Sequence, residues 1–205
     1  MEFDEVKQYL PQYLSDTASN SLFSELKSFP KNKGFYTHIL RDNPIIYQGD
    51  GLSSLLHIEL PSSKSKEVNG IVISNTCDID QANSRMIPSR LLHSPILSLK
   101  KYTNLLMKLF VENGKKPKSK IDDHIDMVKK QKISQIFYLP KGSKLKEDSI
   151  IMFDRVSSLP SNYVKNDNIV NNRLFTLSDF GFYLFIFKLS IHYTRIRENV
   201  ERGSI

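Results

Sequence analysis

The chain has 205 residues, 40% of them hydrophobic and 25% charged, which allows one substantial core or one core with an appendage. A formal net charge of +7 draws polyanions, so nucleic acid is the first partner to consider. The single cysteine, Cys77, excludes an internal disulfide and a multi-cysteine zinc site; with no signal-peptide pattern it sets the expectation of a reducing cytoplasm.

The first 44 or so residues read as a helical prefix packed on the main body. Phe3, Val6, Tyr9, Leu10, Tyr13 and Leu14 recur at helical spacing, with acids early and Pro11 shortening or kinking the helix. A second helical piece, about 19–28, presents Leu22, Phe23 and Leu26 and stops before Pro30.

From residue 45 onward the pattern turns to strands. A short strand is expected over 45–47, then a Gln48-Gly49-Asp50-Gly51 turn that needs glycine freedom. Residues 52–60 alternate, with Leu56, Ile58 and Leu60 expected inward and His57 and Glu59 outward. A charged connection over 61–67 leads to the stretch that organises the chain, VNGIVISNTCDID at 68–80. Ile71, Val72 and Ile73 are consecutive and β-branched, as in a strand buried on both faces. The polar residues Ser74, Asn75, Thr76, Cys77 and Asp78 follow and favour turns. They either line a site at the strand tip or satisfy turn backbone, with Cys77 as a small filler.

A further strand is expected over 95–99, with Arg90 and His93 just before it. A helical hairpin is then inserted over 100–132: Tyr102, Leu105, Leu106, Leu109 and Phe110 mark one amphipathic helix, and Ile121, Ile125 and Val128 mark another. Strand signals return at 136–139 and 149–153. Residues 156–172 read as loop, and Ser178 caps a long helix over 178–202. Its apolar stretch 180–191 holds Lys188 and Ser190 and falls short of the roughly 20 residues a membrane span requires. The fold class expected from these pieces is α+β, and no membrane partner is expected.

The order of pieces resembles the MazF/PemK toxin family. The Gly49-Asp50 turn, a strand, a charged hairpin, the Ile71-Val72-Ile73 strand ending in Ser74-Asn75, and Pro95-Ile96-Leu97 follow the family's sequence of motifs. Residues 145–156 resemble its later hydrophobic, acidic and Val-Val segment, and Asn172-Arg173-Leu174 its Arg-Leu step into a closing helix. The resemblance covers about 48–99 and 141–189. It implies a small SH3-like β-barrel over 45–205, with the hairpin 100–132 inserted and the helix 178–202 closing the chain. It also implies a toxin-antitoxin or phage-defence setting, an antitoxin or other defence protein as partner, and a homodimer. The toxins cut RNA with an arginine at the start of the central strand; here that position falls near Asn69, which is neutral and offers only hydrogen bonds to developing phosphorane charge. The family's polar residue on the next strand falls near Ser98. The scaffold is therefore expected to be kept, and the ribonuclease chemistry lost or rebuilt.

A rebuilt metal-independent endoribonuclease would draw on Asn75, Cys77, Asp78, Arg85, Arg90 and His93, with His57 and Asp80 close in sequence. Each is as readily a structural or solvated residue. Cys77 has no cysteine-hydrolase signature around it. Asp122, Asp123, His124 and Asp126 read as acids complementing a helix dipole, so neither a metal site nor a cofactor is expected. Lys115, Lys116, Lys118 and Lys120 on the hairpin tip, with Arg195, Arg197 and Arg202 on the last helix, either track RNA phosphates or form a solvated basic face. A purely protein-docking module, using the hairpin and the basic last helix, is the other reading.

Overall fold

The computed structural model describes residues 34–83, 86–112, 118–164 and 166–194. The chain divides into two compact units, Met1–Lys33 and Gly34–Ile205, and the described residues belong to the second. The helices expected at 2–14 and 19–28 lie outside the described residues, as does the last helix beyond 194.

The elements in chain order are β1 (Tyr36–Thr37), β2 (Gly51–Glu59), β3 (Lys64–Val72), a single helical turn α1 (Thr76–Ile79), β4 (Arg90–Pro95), β5 (Leu97–Ser98), α2 (Leu99–Glu112), α3 (Lys118–Lys129), β6 (Ile136–Leu139), β7 (Ser149–Met152), β8 (Ser157–Pro160), α4 (Asn166–Asn172), β9 (Arg173–Leu177) and α5 (Asp179–Thr194). The class is mixed α+β. One sheet has six strands in the order β1-β9-β2-β3-β4-β8, and the other has three in the order β5-β7-β6. All pairings are antiparallel, and the two ladders do not close into a barrel. Only Ile96 separates β4 from β5, and its N–H donates to Asn69 O at 2.7 Å, so one bent strand serves both sheets.

Several expectations change. Residues 34–44, assigned above to the helical prefix, contain β1, which pairs with β9. Residues 45–47 are not a strand, because Tyr47 N–H and Ile45 N–H donate to the side chains of Asp50 and Asn43 instead of a neighbouring strand. The loop expected over 156–172 carries β8 and α4.

The inward face of β2 also differs: Leu52 and Leu55 are fully buried, whereas Ile58 is 48% and Leu60 77% exposed. The pairing of β2 with β3 shifts register between Leu52 and Leu55, where Ser54 takes a φ of 58°. An extra residue on one strand reverses which side chains face the core, and a period-2 reading carried through it comes out inverted.

One core joins the sheet to α1 and α4, with Leu52, Leu55, Val72, Ile79, Leu91, Leu159 and Ile169 packed together. A second is aromatic, with the Phe137 ring 5.3 Å from Phe185 and 5.9 Å from Phe35. α5 packs on it through Phe180 and Phe185. Ser178 caps α5 as expected, its Oγ accepting from Gly181 N at 3.2 Å.

Two buried charges fix how these parts meet. The Asp50 carboxylate, fully buried, accepts from Arg173 Nε at 3.1 Å, Thr176 Oγ1 at 2.7 Å and Tyr47 N at 2.9 Å. Both oxygens are hydrogen-bonded, and the adjacent guanidinium favours the ionised form. Burial pushes this carboxyl's pKa up, and Arg173 opposes that rise. Arg173 spends its remaining donors on main-chain oxygens of Leu40, Arg41, Asn43 and Ile45. Those carbonyls have no strand partner, so the guanidinium holds the whole 40–45 segment onto β9.

Lys188 of α5 plays a similar part elsewhere. Its ammonium donates to Gln131 O and Oε1 and to the carbonyls of Ile133 and Ile136 at 2.5–3.0 Å. Burial draws its pKa down to about 7. Gln131, at φ 59°, ends α3 in the left-handed conformation, with Lys132 N donating back to Met127 O. Its side-chain amide pairs with both main-chain groups of Tyr138 in β6.

Removing one partner of a buried ion pair leaves the other charge without compensation. Arg173→Leu is expected to cost about 3–5 kcal/mol in urea denaturation. Arg173→Lys is expected to recover only part of this, because an ammonium cannot reproduce the five-donor fork.

Candidate nucleic-acid interface

The central strand runs as expected through the buried Ile71, Val72 and Ile73 and delivers a polar tip. Much of that polarity is used locally. Ser74 Oγ donates to Arg90 O at 3.0 Å and accepts from Leu92 N at 2.8 Å, continuing the β3–β4 ladder past its last pair. Asn75 caps α1, its Oδ1 accepting from Cys77 N at 2.9 Å. Thr76 Oγ1 accepts from Gln48 N at 3.0 Å, and Asp80 Oδ1 accepts from Ala82 N at 3.0 Å. Cys77 and Asp78 are exposed on α1.

The other proposed catalytic side chains are elsewhere. Arg90 is exposed on β4, and its guanidinium is bound to β8 through Ser158 Oγ at 2.6 Å and Ser158 O at 2.9 Å. His93 is fully buried. A reactive base needs access to its substrate, which that position denies. Arg85 lies outside the described residues. Asn75, Cys77 and Asp78 therefore share one helical turn, while Arg90 and His93 sit on a strand with separate environments. Asn69, at the position the resemblance makes catalytic, is exposed on β3 where its carbonyl holds the β4–β5 bend.

His93 marks how tightly the six-stranded sheet is rolled. Its ring lies 6.4 Å from that of His57 on β2, and His57 Nδ1 shares a 2.7 Å hydrogen bond with Ser157 Oγ on β8. Two strands lie between β2 and β8 in the sheet order, so the sheet curls until its two sides touch across these imidazoles. Gly70 makes room for them: a β-carbon there would stand 2.9 Å from His93 Cδ2 and from Leu55 Cδ1.

Neither ring nitrogen of His93 has a hydrogen-bond partner among the described residues. Burial, and secondarily His57, lowers its pKa to about 4. Burial also lowers the pKa of His57.

A different group of side chains converges without having been visible as a motif. Lys100 on α2, Lys129 on α3, and Lys141 and Lys146 on the β6–β7 connection line one open groove. Glu147 and Asp148 share that groove. Asp148 is the structural one: its Oδ1 accepts from Lys141 N at 3.0 Å, its main-chain oxygen accepts from Leu99 N at 2.9 Å, and Lys129 Nζ is 3.8 Å from its Oδ2. Burial and the neighbouring carboxylate push the Tyr138 phenol's pKa up. Asp148 thus ties the insert to the three-stranded sheet and brings lysines from three segments to one face.

Of the phosphate-tracking residues expected from sequence, Lys120 is exposed on α3, and Lys118 begins that helix. Lys115, Lys116, Arg195, Arg197 and Arg202 lie outside the described residues. The groove lysines are scattered over 47 positions, from 100 to 146, and only their spacing on amphipathic α2 and α3 hints at a shared face.

Among the described residues no group of three or more His, Cys, Asp and Glu side chains is placed to hold a metal ion. Of the acids on α3, Asp126 pairs with Lys130 at 2.7 Å, and His124 Nε2 meets the Tyr102 hydroxyl at 2.8 Å. Nor is any helix among them long and apolar enough to cross a membrane.

No protein-family model matches the chain, and a search of curated proteins finds no match.

The imidazole supplies a test of the rolled sheet. An unfolded histidine takes its proton near pH 6.5 and folded His93 only near 4, so between these values the unfolded chain binds more protons. Stability is expected to fall by about 3 kcal/mol as pH drops through that window, and His93→Leu should remove this share of the loss when denaturation midpoints are compared at pH 7 and pH 4.

Proposed function

We propose that this chain binds single-stranded RNA along the lysine groove between the helical hairpin and the three-stranded sheet, on a rolled but unclosed relative of the SH3-like barrel of MazF/PemK type that lacks the family's standard catalytic arginine. The observation that carries the reading is the convergence of Lys100, Lys129, Lys141 and Lys146 on one open face. Four cations against Glu147 and Asp148 leave that face net positive, in keeping with the +7 of the chain. Ammonium groups on flexible stems suit phosphates met as point charges along a backbone, which is an interaction without base readout.

The barrel reading is supported by the β4–β5 strand shared between both sheets and by the His57–Ser157 bond across the roll. The Asp50–Arg173 pair joins the Gly-Asp turn to the Arg-Leu step, two of the motifs on which the resemblance stands. The toxin-antitoxin or phage-defence setting, an antitoxin-like partner and a homodimer come from the resemblance alone. The loss of cleavage rests on neutral Asn69 and on the engagement of Arg90 with Ser158.

Binding to single strands releases about 0.7 counterions per phosphate neutralised. Replacing all four groove lysines by glutamine is therefore expected to reduce the slope of log K against log salt by about 3, measured by fluorescence anisotropy with a labelled RNA. An unchanged slope would sink the groove assignment. A long labelled RNA incubated with the protein without metal should stay intact; discrete cuts abolished by Asp78→Ala or Arg90→Ala would overturn the non-catalytic reading.

A further inference from the structure

A second cationic feature lies away from the lysine groove. The segment that Arg173 holds against β9, and the turn between β6 and β7, enclose a cavity of about 170 Å³. Its lining includes Thr37, His38, Arg41, Ser143 and Lys144, with Arg173 also contributing. Pockets that enclose drug-sized ligands run to roughly 300–1,000 Å³, so this one suits a small group.

The cavity is built rather than incidental. Ser143 stands at φ 51°, and its Oγ donates to Leu174 O at 3.0 Å. Lys144 N donates to the same oxygen at 3.1 Å, and Gly142 and Leu145 bridge the turn behind it. These bonds fix the turn to β9 and bring Lys144 to the cavity lining. On the other side, Thr37 Oγ1 accepts from Ile39 N at 3.2 Å, so its hydroxyl proton is available to donate.

The charges are unequal. Asp50 already compensates Arg173, whose donors are taken by that carboxylate and by carbonyls that would otherwise repel an anion. Among the described residues no carboxylate lines the cavity, and none pairs with Arg41 or Lys144. Arg41, Lys144, His38 and Thr37, which can offer a guanidinium, an ammonium, an imidazole and a hydroxyl, therefore line one small space that no described carboxylate shares.

We infer that this cavity is a site for a dianionic phosphate group, held by Arg41 and Lys144 with His38 and Thr37 as further donors. A terminal phosphate carries about −1.5 to −2 charge at neutral pH, more than a backbone diester, and exposes three acceptor oxygens. Two sources share this chemistry: the 5′ end of a bound nucleic acid, and free phosphate. The first rests on the RNA-binding reading above; the second does not.

The test uses the full chain, the Arg41→Gln/Lys144→Gln variant, and Lys129→Glu/Lys146→Glu as a groove control. Both cavity side chains are exposed, and the Arg41 carbonyl that Arg173 needs is unchanged. Inorganic phosphate is titrated while amide resonances are followed. Saturable shifts at residues 37–41 and 142–144 are expected in the wild type and in the groove control, with affinity about tenfold weaker in the cavity variant. The same RNA is then compared with a 5′-phosphate and a 5′-hydroxyl. A preference of about tenfold for the phosphate, absent in the cavity variant, assigns the site to nucleic-acid ends. Equal affinities with phosphate shifts intact assign it to free phosphate. The inference is overturned if neither probe registers, or if either effect survives Arg41→Gln/Lys144→Gln. A groove control that loses RNA but keeps the phosphate shifts separates the two sites.

Discussion

The Asp50–Arg173 ion pair is the constraint on which the rest of this unit depends. It joins positions 123 apart in sequence and lies almost wholly out of solvent, at 0% and 3% exposure. An isolated charge in such a place costs several kcal/mol. The cost is met only because every donor and acceptor is used: the carboxylate by the guanidinium, a threonine hydroxyl and a turn N–H, and the guanidinium by four main-chain carbonyls. The result is directional. Apolar packing would have held the 40–45 segment near β9 without fixing its orientation; the fork of five N–H groups sets its path, and with it the position of Arg41.

The distribution of cations follows from this division of labour. Arg173 and Lys188 are buried and saturated with oxygens, so they serve the fold. The groove lysines and Lys144 are exposed and lack such a surround. A net charge of +7 says nothing about which cations remain available to a ligand; burial and hydrogen bonding do. By that criterion the β6–β7 connection serves two separate cationic surroundings, one at Lys141 and Lys146 and the other at Lys144 between them.

What was legible in the sequence was local. The hairpin helices announced themselves through apolar spacing, the central strand through three β-branched residues, and the last helix through the Ser178 cap. Ser74 and Asn75 were recognisable as turn formers, and the structure uses them so. The inward face of β2 was misread because no residue type specifies a bulge at Ser53-Ser54, and the period-2 pattern inverts there. β9 was missed because Arg173 to Leu177 mixes buried polar and apolar side chains, and its polar members are explained only by Asp50 far upstream. The groove lysines come from three segments, and of the residues expected at the strand tip Asn75 is taken up as a cap and Arg90 is held by Ser158.

Gln131 and Lys188 join the helical hairpin to the three-stranded sheet and to the last described helix. The amide of Gln131 acts as a false strand against Tyr138, and its oxygens help seat an ammonium from the closing helix. The hairpin is thus keyed to β6 and to α5 through Gln131. Without the hairpin's end the buried Lys188 ammonium would lack most of its acceptors, and without that lysine the carbonyls of Gln131, Ile133 and Ile136 would lose a donor. A substitution at 131 would remove only the Oε1 contact, since the main-chain oxygen of Gln131 still accepts from Lys188, whereas a substitution at 188 would remove all four of the bonds its ammonium makes.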